Sequence, residues 1–186
     1  PADSFDYVTC PVIKFGNFLF VNEFELEFVA FSGVEPGVVS ANGAECDTEH
    51  AVVLAPEDPR CHRVLASARL FTRDHEAAEH HLRRSLTLNP CDADTMAHMS
   101  FLQTMRGKPL EALAWLDRAV LLNPIYPGWY EYDRSIALYS AGAYREAIAC
   151  LSRLPVKTPW RLTRLAACHA QLGELDAARR IMAEVR

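Results

Sequence analysis

The residues in this chain that could do chemistry are histidines and cysteines. Two Cys-His pairs occur, Cys61-His62 and Cys168-His169, and His75, His80, His81 and His98 join them. Imidazole and thiolate are zinc ligands, and a thiol beside an imidazole can become a nucleophile. Zinc, however, needs ligands that converge. Neighbours in sequence point about 100° apart on a helix, so neither Cys61 with His62 nor His80 with His81 shares one metal. No nucleophile elbow, glycine-rich phosphate loop or HExxH occurs. The expectation is no catalytic residue, no metal and no cofactor. Six cysteines stand at 10, 46, 61, 91, 150 and 168, without a CxxC pair. Several fall in helical apolar patterns, where Cys behaves as a small hydrophobe. Reduced thiols in a cytoplasmic protein are expected.

The elements that hold these residues follow from length and pattern. The chain has 186 residues, 50% apolar, 23% charged, with a formal net charge of −5. That is one domain, or a domain with an appendage, large enough to bury a core without a disulfide or metal staple. No apolar run reaches the ~18 residues of a membrane-spanning helix, and no signal peptide is recognisable. The chain begins at Pro1 rather than Met, which reads as a fragment or a processed product. The average charge hides a split. Residues 1–58 hold 11 acidic residues and one basic residue, Lys14, for a net of −10. Residues 59–186 carry a net of +5. Seven of the nine Phe lie at or before Phe31.

The C-terminal three-quarters repeats itself. Pro56, Pro90 and Pro124 are 34 residues apart, twice in succession, each closing an apolar run of helical spacing. Proline cannot continue a helix, so each marks a stop. Asp58-Pro59 and Thr158-Pro159 place a capping side chain before a proline at the first helical position, and Asp92 can cap a helix from Ala93. Gly107, Gly142 and Gly173 suit left-handed turns at the ends of first helices. Each second helix carries a small residue, Ala78, Ala112, Ala147 or Ala178. A larger apolar residue follows four later, Leu82, Leu116, Leu151 or Met182. Three further on stand Ser85, Ala119, Leu154 and Val185.

These motifs resemble the tetratricopeptide-repeat family. The stretch from Gly107 through Ala112, Leu116 and Ala119 to Pro124 follows the family pattern closely, as do Gly142–Leu151 and Gly173–Met182. Unit 1 departs by carrying Arg73 where the inter-helix glycine belongs. His62 and Met96 occupy the family's early tryptophan position, and unit 3 has one extra residue near Tyr126-Pro127-Gly128. The resemblance covers residues 42–186, with four units from Pro59 and a half-unit, Asn42 to Leu54, before them. It implies an all-α solenoid of stacked helix pairs with a concave groove. Units 2 and 3 are also similar to repeat regions that follow catalytic domains in bacterial signalling proteins, including nucleotide cyclases.

Residues 1–41 do not follow the repeat. Phe20, Phe24, Phe28 and Phe31 fit one helix face, whereas Phe24, Leu26 and Phe28 alternate with Glu as in a strand. Gly16-Asn17 supplies a turn between Val12–Phe15 and Phe18–Val21, which favours a hairpin or extended segment. Ser32-Gly33, Pro36-Gly37 and Asn42-Gly43 read as a linker. So many Phe require a cover, each worth roughly 1.5–3 kcal/mol when buried. They could cap the helical array, occupy its groove in cis, or contact a second copy or a neighbouring domain.

The resemblance also implies which first-helix residues face the groove. In unit 1 these are Arg60, Arg63, Ser67, Leu70 and Phe71. In unit 2 they are Asp94, Ala97, Phe101, Thr104 and Met105. Unit 3 supplies Trp129, Tyr132, Ile136, Tyr139 and Ser140, and unit 4 Trp160, Thr163, Ala167, Ala170 and Gln171. The Lys/Asn clamp by which some family members hold chaperone C-termini is missing, because Ser67 stands where Asn is required. The expected ligand is a protein or peptide with apolar or aromatic anchors, its acidic end near Arg60 and Arg63. The expected function is a non-catalytic binding scaffold, a regulatory or interaction module of a larger bacterial protein. The alternatives are a fragment of a multidomain signalling enzyme whose catalytic part lies elsewhere, and a mildly basic nucleic-acid-binding array. Neither a membrane nor a nucleic acid is the expected partner; Arg83-Arg84, Arg161, Arg164 and Arg179-Arg180 read as solvated faces.

Overall fold

The computed structural model describes residues 13–15, 18–20 and 41–185, with side chains from residue 48 onward. Strand β1 (Ile13–Phe15) pairs antiparallel with β2 (Phe18–Phe20), with Lys14 opposite Leu19. This is the hairpin that the Gly16-Asn17 signal predicts. The packing of Phe24, Phe28 and Phe31, and the linker at Ser32-Gly33 and Pro36-Gly37, lie outside the described residues.

Helices then follow in pairs. Helix α1 (Ala41–Leu54) stands alone as the half-unit. It contains Asn42-Gly43 in its first turn, where the sequence signals predict a linker; the penalty for Gly is largest in a helix interior and these two sit at the end. Unit 1 is α2 (Pro59–Phe71) and α3 (His75–Leu88), and unit 2 is α4 (Ala93–Met105) and α5 (Pro109–Leu122). Unit 3 is α6 (Gly128–Ser140) and α7 (Tyr144–Arg153), and unit 4 is α8 (Pro159–Gln171) and α9 (Leu175–Ala183). Each helix packs against the next, and α4 also packs directly against α6. The extra residue of unit 3 lies in the α5–α6 connection, residues 123–127, one longer than 89–92.

The helix ends are built as the sequence specifies, with one exception. Asp58 accepts from the Arg60 backbone N–H at 2.9 Å, and Asp92 from that of Asp94 at 3.2 Å. Asp74 does the same for α3, accepting from Ala77 N–H at 3.0 Å. Thr158 does not cap α8: its hydroxyl is buried without a hydrogen-bond partner, although Pro159 still starts the helix. Gly107, Gly142 and Gly173 all have positive φ, and so does Arg73, at 63°. Unit 1 therefore keeps the left-handed turn without the glycine.

The core is a chain of inter-helix clusters. Ala78, Leu82, Ala112, Leu116, Ala147 and Leu151 are all fully buried. An alanine lets two helices approach closely, and the leucine one turn later fills the space beside the crossing. Ala66, Leu70, Ala78, Leu82, Met99 and Leu102 join units 1 and 2. Leu116 and Ala119 meet Ala97 and Tyr130, joining units 2 and 3. Tyr132, Ile136, Ala147, Leu151 and Cys168 join units 3 and 4. Helix α9 has no buried residue, and Met182 is exposed where its counterparts are sealed, because no described helix covers it.

Candidate functional site

Cys61, Cys150, Cys168, His62 and His98 are absorbed by packing, whereas Cys91 and His80 are exposed. Cys61, Cys150 and Cys168 are buried free thiols. Burial raises all three thiol pKa values, that of Cys150 to about 11, which keeps them protonated and poor nucleophiles. His62 turns away from Cys61. Its Nε2 lies 2.9 Å from the Pro56 carbonyl and its Nδ1 3.0 Å from Nδ1 of His81. A carbonyl only accepts, so His62 Nε2–H donates to it and His62 Nδ1 accepts from His81. Burial first, then the electrostatic influence of neighbouring His62, His80 and Arg69, pulls the His81 pKa down to about 4. His98 is buried with Nδ1–H donated to the Asp94 carbonyl at 2.8 Å. Burial first, then Arg63, lowers its pKa to about 3, so it is neutral. His169 pairs with Glu174 at 2.6 Å. Among the described residues, no group of three His, Cys, Asp or Glu could hold a metal, and no helix is long and apolar enough to cross a membrane.

The groove stripe is divided by the packing of adjacent first helices. Five of its predicted members lie inside. Leu70, Ala97, Tyr132 and Ile136 belong to the inter-unit clusters. The Thr104 hydroxyl is donated to the Ser100 carbonyl at 3.1 Å. Spacing within one helix places a residue on a face, but the closeness of the next unit decides whether that face stays open. At the surface or half-buried are Arg60, Arg63, Ser67, Phe71, Phe101, Met105, Tyr139, Trp160, Thr163 and Gln171. Phe101 packs against both the unit 1–2 and unit 3–4 clusters. Trp160 meets the Tyr132 ring at 4.1 Å. Tyr139 lies beside Tyr144, beneath the Arg164 guanidinium, and accepts from Gln171 at 3.4 Å.

The arginine end differs from expectation. Arg60 is ion-paired with Asp58 at 2.8 Å, and Arg63 lies between Asp92 and Asp94 at 3.7 and 4.0 Å. An open cleft of about 630 Å³ is lined by Glu57, Asp58, Pro59, Arg60, Arg63, Asn89 and Asp92. Carboxylates outnumber guanidiniums there, so the acidic end of a ligand meets cations that already have partners. Arginines of the outer faces are also engaged: Arg83 with Glu79, Arg84 with Glu57, and Arg179 with Asp176.

One group lies outside the sequence-predicted stripe. Asp133 is 2% exposed, and neither carboxyl oxygen has a hydrogen-bond partner. Burial pushes its pKa well above the usual carboxylate value. Glu131 on the same helix is the contrast. It accepts from Tyr126 at 2.6 Å and from Arg153 at 2.7 Å, which together outweigh burial and hold it ionised. Asp133 follows Trp129 by four residues and precedes Ile136 by three, so it shares a helix side with them although the family's groove positions do not name it.

The geometry defines a class of fold, the tetratricopeptide-repeat solenoid. No family model matches the chain. No curated protein matches it either. Solved structures do. A thermophilic TPR protein of Thermus thermophilus has a TM-score of 0.68 at 22% identity, over 78% of this chain and 81% of that one. PilW, described as a widely conserved type IV pilus biogenesis factor, has 0.69 at 20% identity, over 89% and 79%. A MamA fragment from Desulfovibrio magneticus has 0.64 at 14% identity, over 88% and 94%. At these identities the likeness establishes the fold. A fold of this kind hosts protein–protein interaction in general, with the specific activity set by the residues grafted on it.

Proposed function

We propose that the chain is a non-catalytic scaffold that binds a protein or peptide segment along its first helices, as an interaction module of a larger bacterial protein. The observation that carries this reading is the row of half-buried aromatic rings on successive first helices, Phe71, Phe101, Tyr139 and Trp160. Rings held by packing lose little freedom when a ligand covers them, and they are the usual anchors of binding. Selection of peptides from a display library against the full chain tests it. Tyr139→Ala and Met105→Asp should each weaken a selected peptide at least about tenfold, consistent with loss of a hot-spot contact. Arg83→Ala with Arg84→Ala on α3 should leave it unchanged. The reverse pattern overturns the groove. Phe101→Ala is a poorer probe, because Phe101 also supports two core clusters.

The charge split favours one further reading, in which the acidic residues 1–41 occupy the groove in cis. Deleting them should then raise peptide affinity, and unchanged affinity removes that occupant.

A further inference from the structure

The sixth residue of each first helix falls on one row of the array: Val64, His98, Asp133 and Arg164. Three of the four are accounted for by what surrounds them. Val64 is an apolar core residue. His98 is neutral and donates to the Asp94 carbonyl. Arg164 lies over the Tyr139 ring. Asp133 alone is sealed from water with both oxygens unpaired. A buried carboxyl without a donor costs free energy. A natural chain can remove that cost with Leu or Val. Retained costs of this kind concentrate at functional sites.

The surroundings say what would satisfy it. On α6, at ~100° per residue, Asp133 lies about 40° from Trp129 and about 60° from Ile136, on the edge of the groove stripe. Tyr132 is adjacent in sequence, and burial above all raises its phenol pKa. Trp160 backs the Tyr132 ring. A carboxyl that can ionise, on the helix that also carries Trp129 and Tyr132, suits a cation, which gains from a carboxylate and from aromatic faces.

We propose that Asp133 is a cation-recognising subsite of the groove, receiving the ammonium or guanidinium of a Lys or Arg side chain on the bound peptide. The inference rests on the groove reading above and gives its ligand a basic residue beside the aromatic anchors. At 2% exposure the carboxyl is reached only through a local opening of the edge of the stripe, so binding includes that opening. The arriving cation ionises the carboxyl, and the displaced proton leaves to solvent. Binding therefore releases a proton.

The test uses the full chain and an N-acetylated, C-amidated pentapeptide, Trp-Ala-Lys-Ala-Trp, beside a copy with norleucine replacing Lys. Calorimetry at pH 7 in two buffers of different ionisation enthalpy counts protons released. Carbon NMR of the Asp carboxyl groups follows ionisation of Asp133. The Lys peptide should bind about tenfold or more tightly than the norleucine copy, the discrimination expected of a hydrogen bond to a charged group. It should release a proton and move the Asp133 signal to its ionised position. Asp133→Asn should erase both the discrimination and the proton release. Equal binding of the two peptides, or discrimination that survives Asp133→Asn, overturns the subsite and leaves the groove standing. Failure of both peptides to bind overturns the subsite and counts against the groove as well.

Discussion

First and second helices solve different problems with the same backbone. The second helices α3, α5 and α7 bury alanine and leucine, and Ser85 is the one buried polar residue among them. Even Ser85 is satisfied, bonded at 2.9 Å to both the Pro59 carbonyl and the Thr95 hydroxyl. The first helices bury His62, Thr95, His98, Ser100, Gln103, Thr104, Glu131, Asp133, Ser135 and Arg161. Burying such groups is costly unless each finds a partner, and several leave an atom unmatched. The difference separates the layer that makes the array stand from the layer that gives it chemistry.

The sharpest way to break the comparison is a cavity in the apolar layer. Leu116 is fully buried against Ala97, Ala119 and Tyr130. Leu116→Ala should cost about 2–5 kcal/mol, the usual range for a sealed leucine. Urea unfolding checks it. A loss below ~1 kcal/mol would mean that the second helices are not the supporting layer.

The polar layer should respond in the opposite direction. Removing the Asp133 carboxyl should stabilise, with the near-isosteric Asp133→Leu gaining about 1–3 kcal/mol at pH 7. The sign follows from linkage. Its folded pKa is raised above the unfolded value, so the folded state holds a proton that the unfolded chain gives up. Wild-type stability then falls as pH rises above the unfolded carboxylate range. The advantage of the variant should shrink toward pH 4, and a pH-independent gap would place the effect in packing alone. His98 works from the other side. Its folded pKa is depressed to about 3, so the unfolded chain takes the proton first as pH falls below ~6.5. Stability drains between those values. His98→Gln should move the acid-unfolding midpoint to lower pH, read by circular dichroism.

This division also explains what is legible in the sequence. The second helices are readable because their rule is local: alanine at a crossing, leucine one turn on, proline at the end. Ala78, Ala112, Ala147 and the leucines after them sit where spacing puts them. First helices obey a non-local rule. Whether Tyr132 or Tyr139 meets solvent depends on how closely α4 and α8 approach α6, which no spacing within α6 encodes. Hence Tyr132 is sealed and Tyr139 is half-buried on the same predicted stripe. Asp133 escapes the repeat pattern because it stands one residue beyond a position that the pattern names. The missing Thr158 cap has a similar origin, since a side chain can fit a capping position and still turn its hydroxyl elsewhere.

The smallest expected effect tests the turns that join the two layers. Three of the four inter-helix turns use glycine at φ between 72° and 79°, and unit 1 uses Arg73 at 63°. All four close the first helix the same way. In unit 1, Asp74 N–H reaches the Arg69 carbonyl at 2.9 Å, and in unit 2 Lys108 N–H reaches Gln103 at 2.9 Å. A side chain at such φ costs about 1 kcal/mol from the Cβ–carbonyl clash. Space is not the obstacle, because a Cβ at Gly107 would meet nothing within 4 Å. Gly107→Ala should therefore lose about 1 kcal/mol. Arg73→Gly relieves the clash but gives the unfolded chain more freedom, a countervailing ~0.4–1 kcal/mol. Its gain should be under ~0.5 kcal/mol, a Tm shift of a degree or two for a chain of this size. A loss larger than that on Arg73→Gly would mean the arginine side chain, not the turn, is what unit 1 keeps it for.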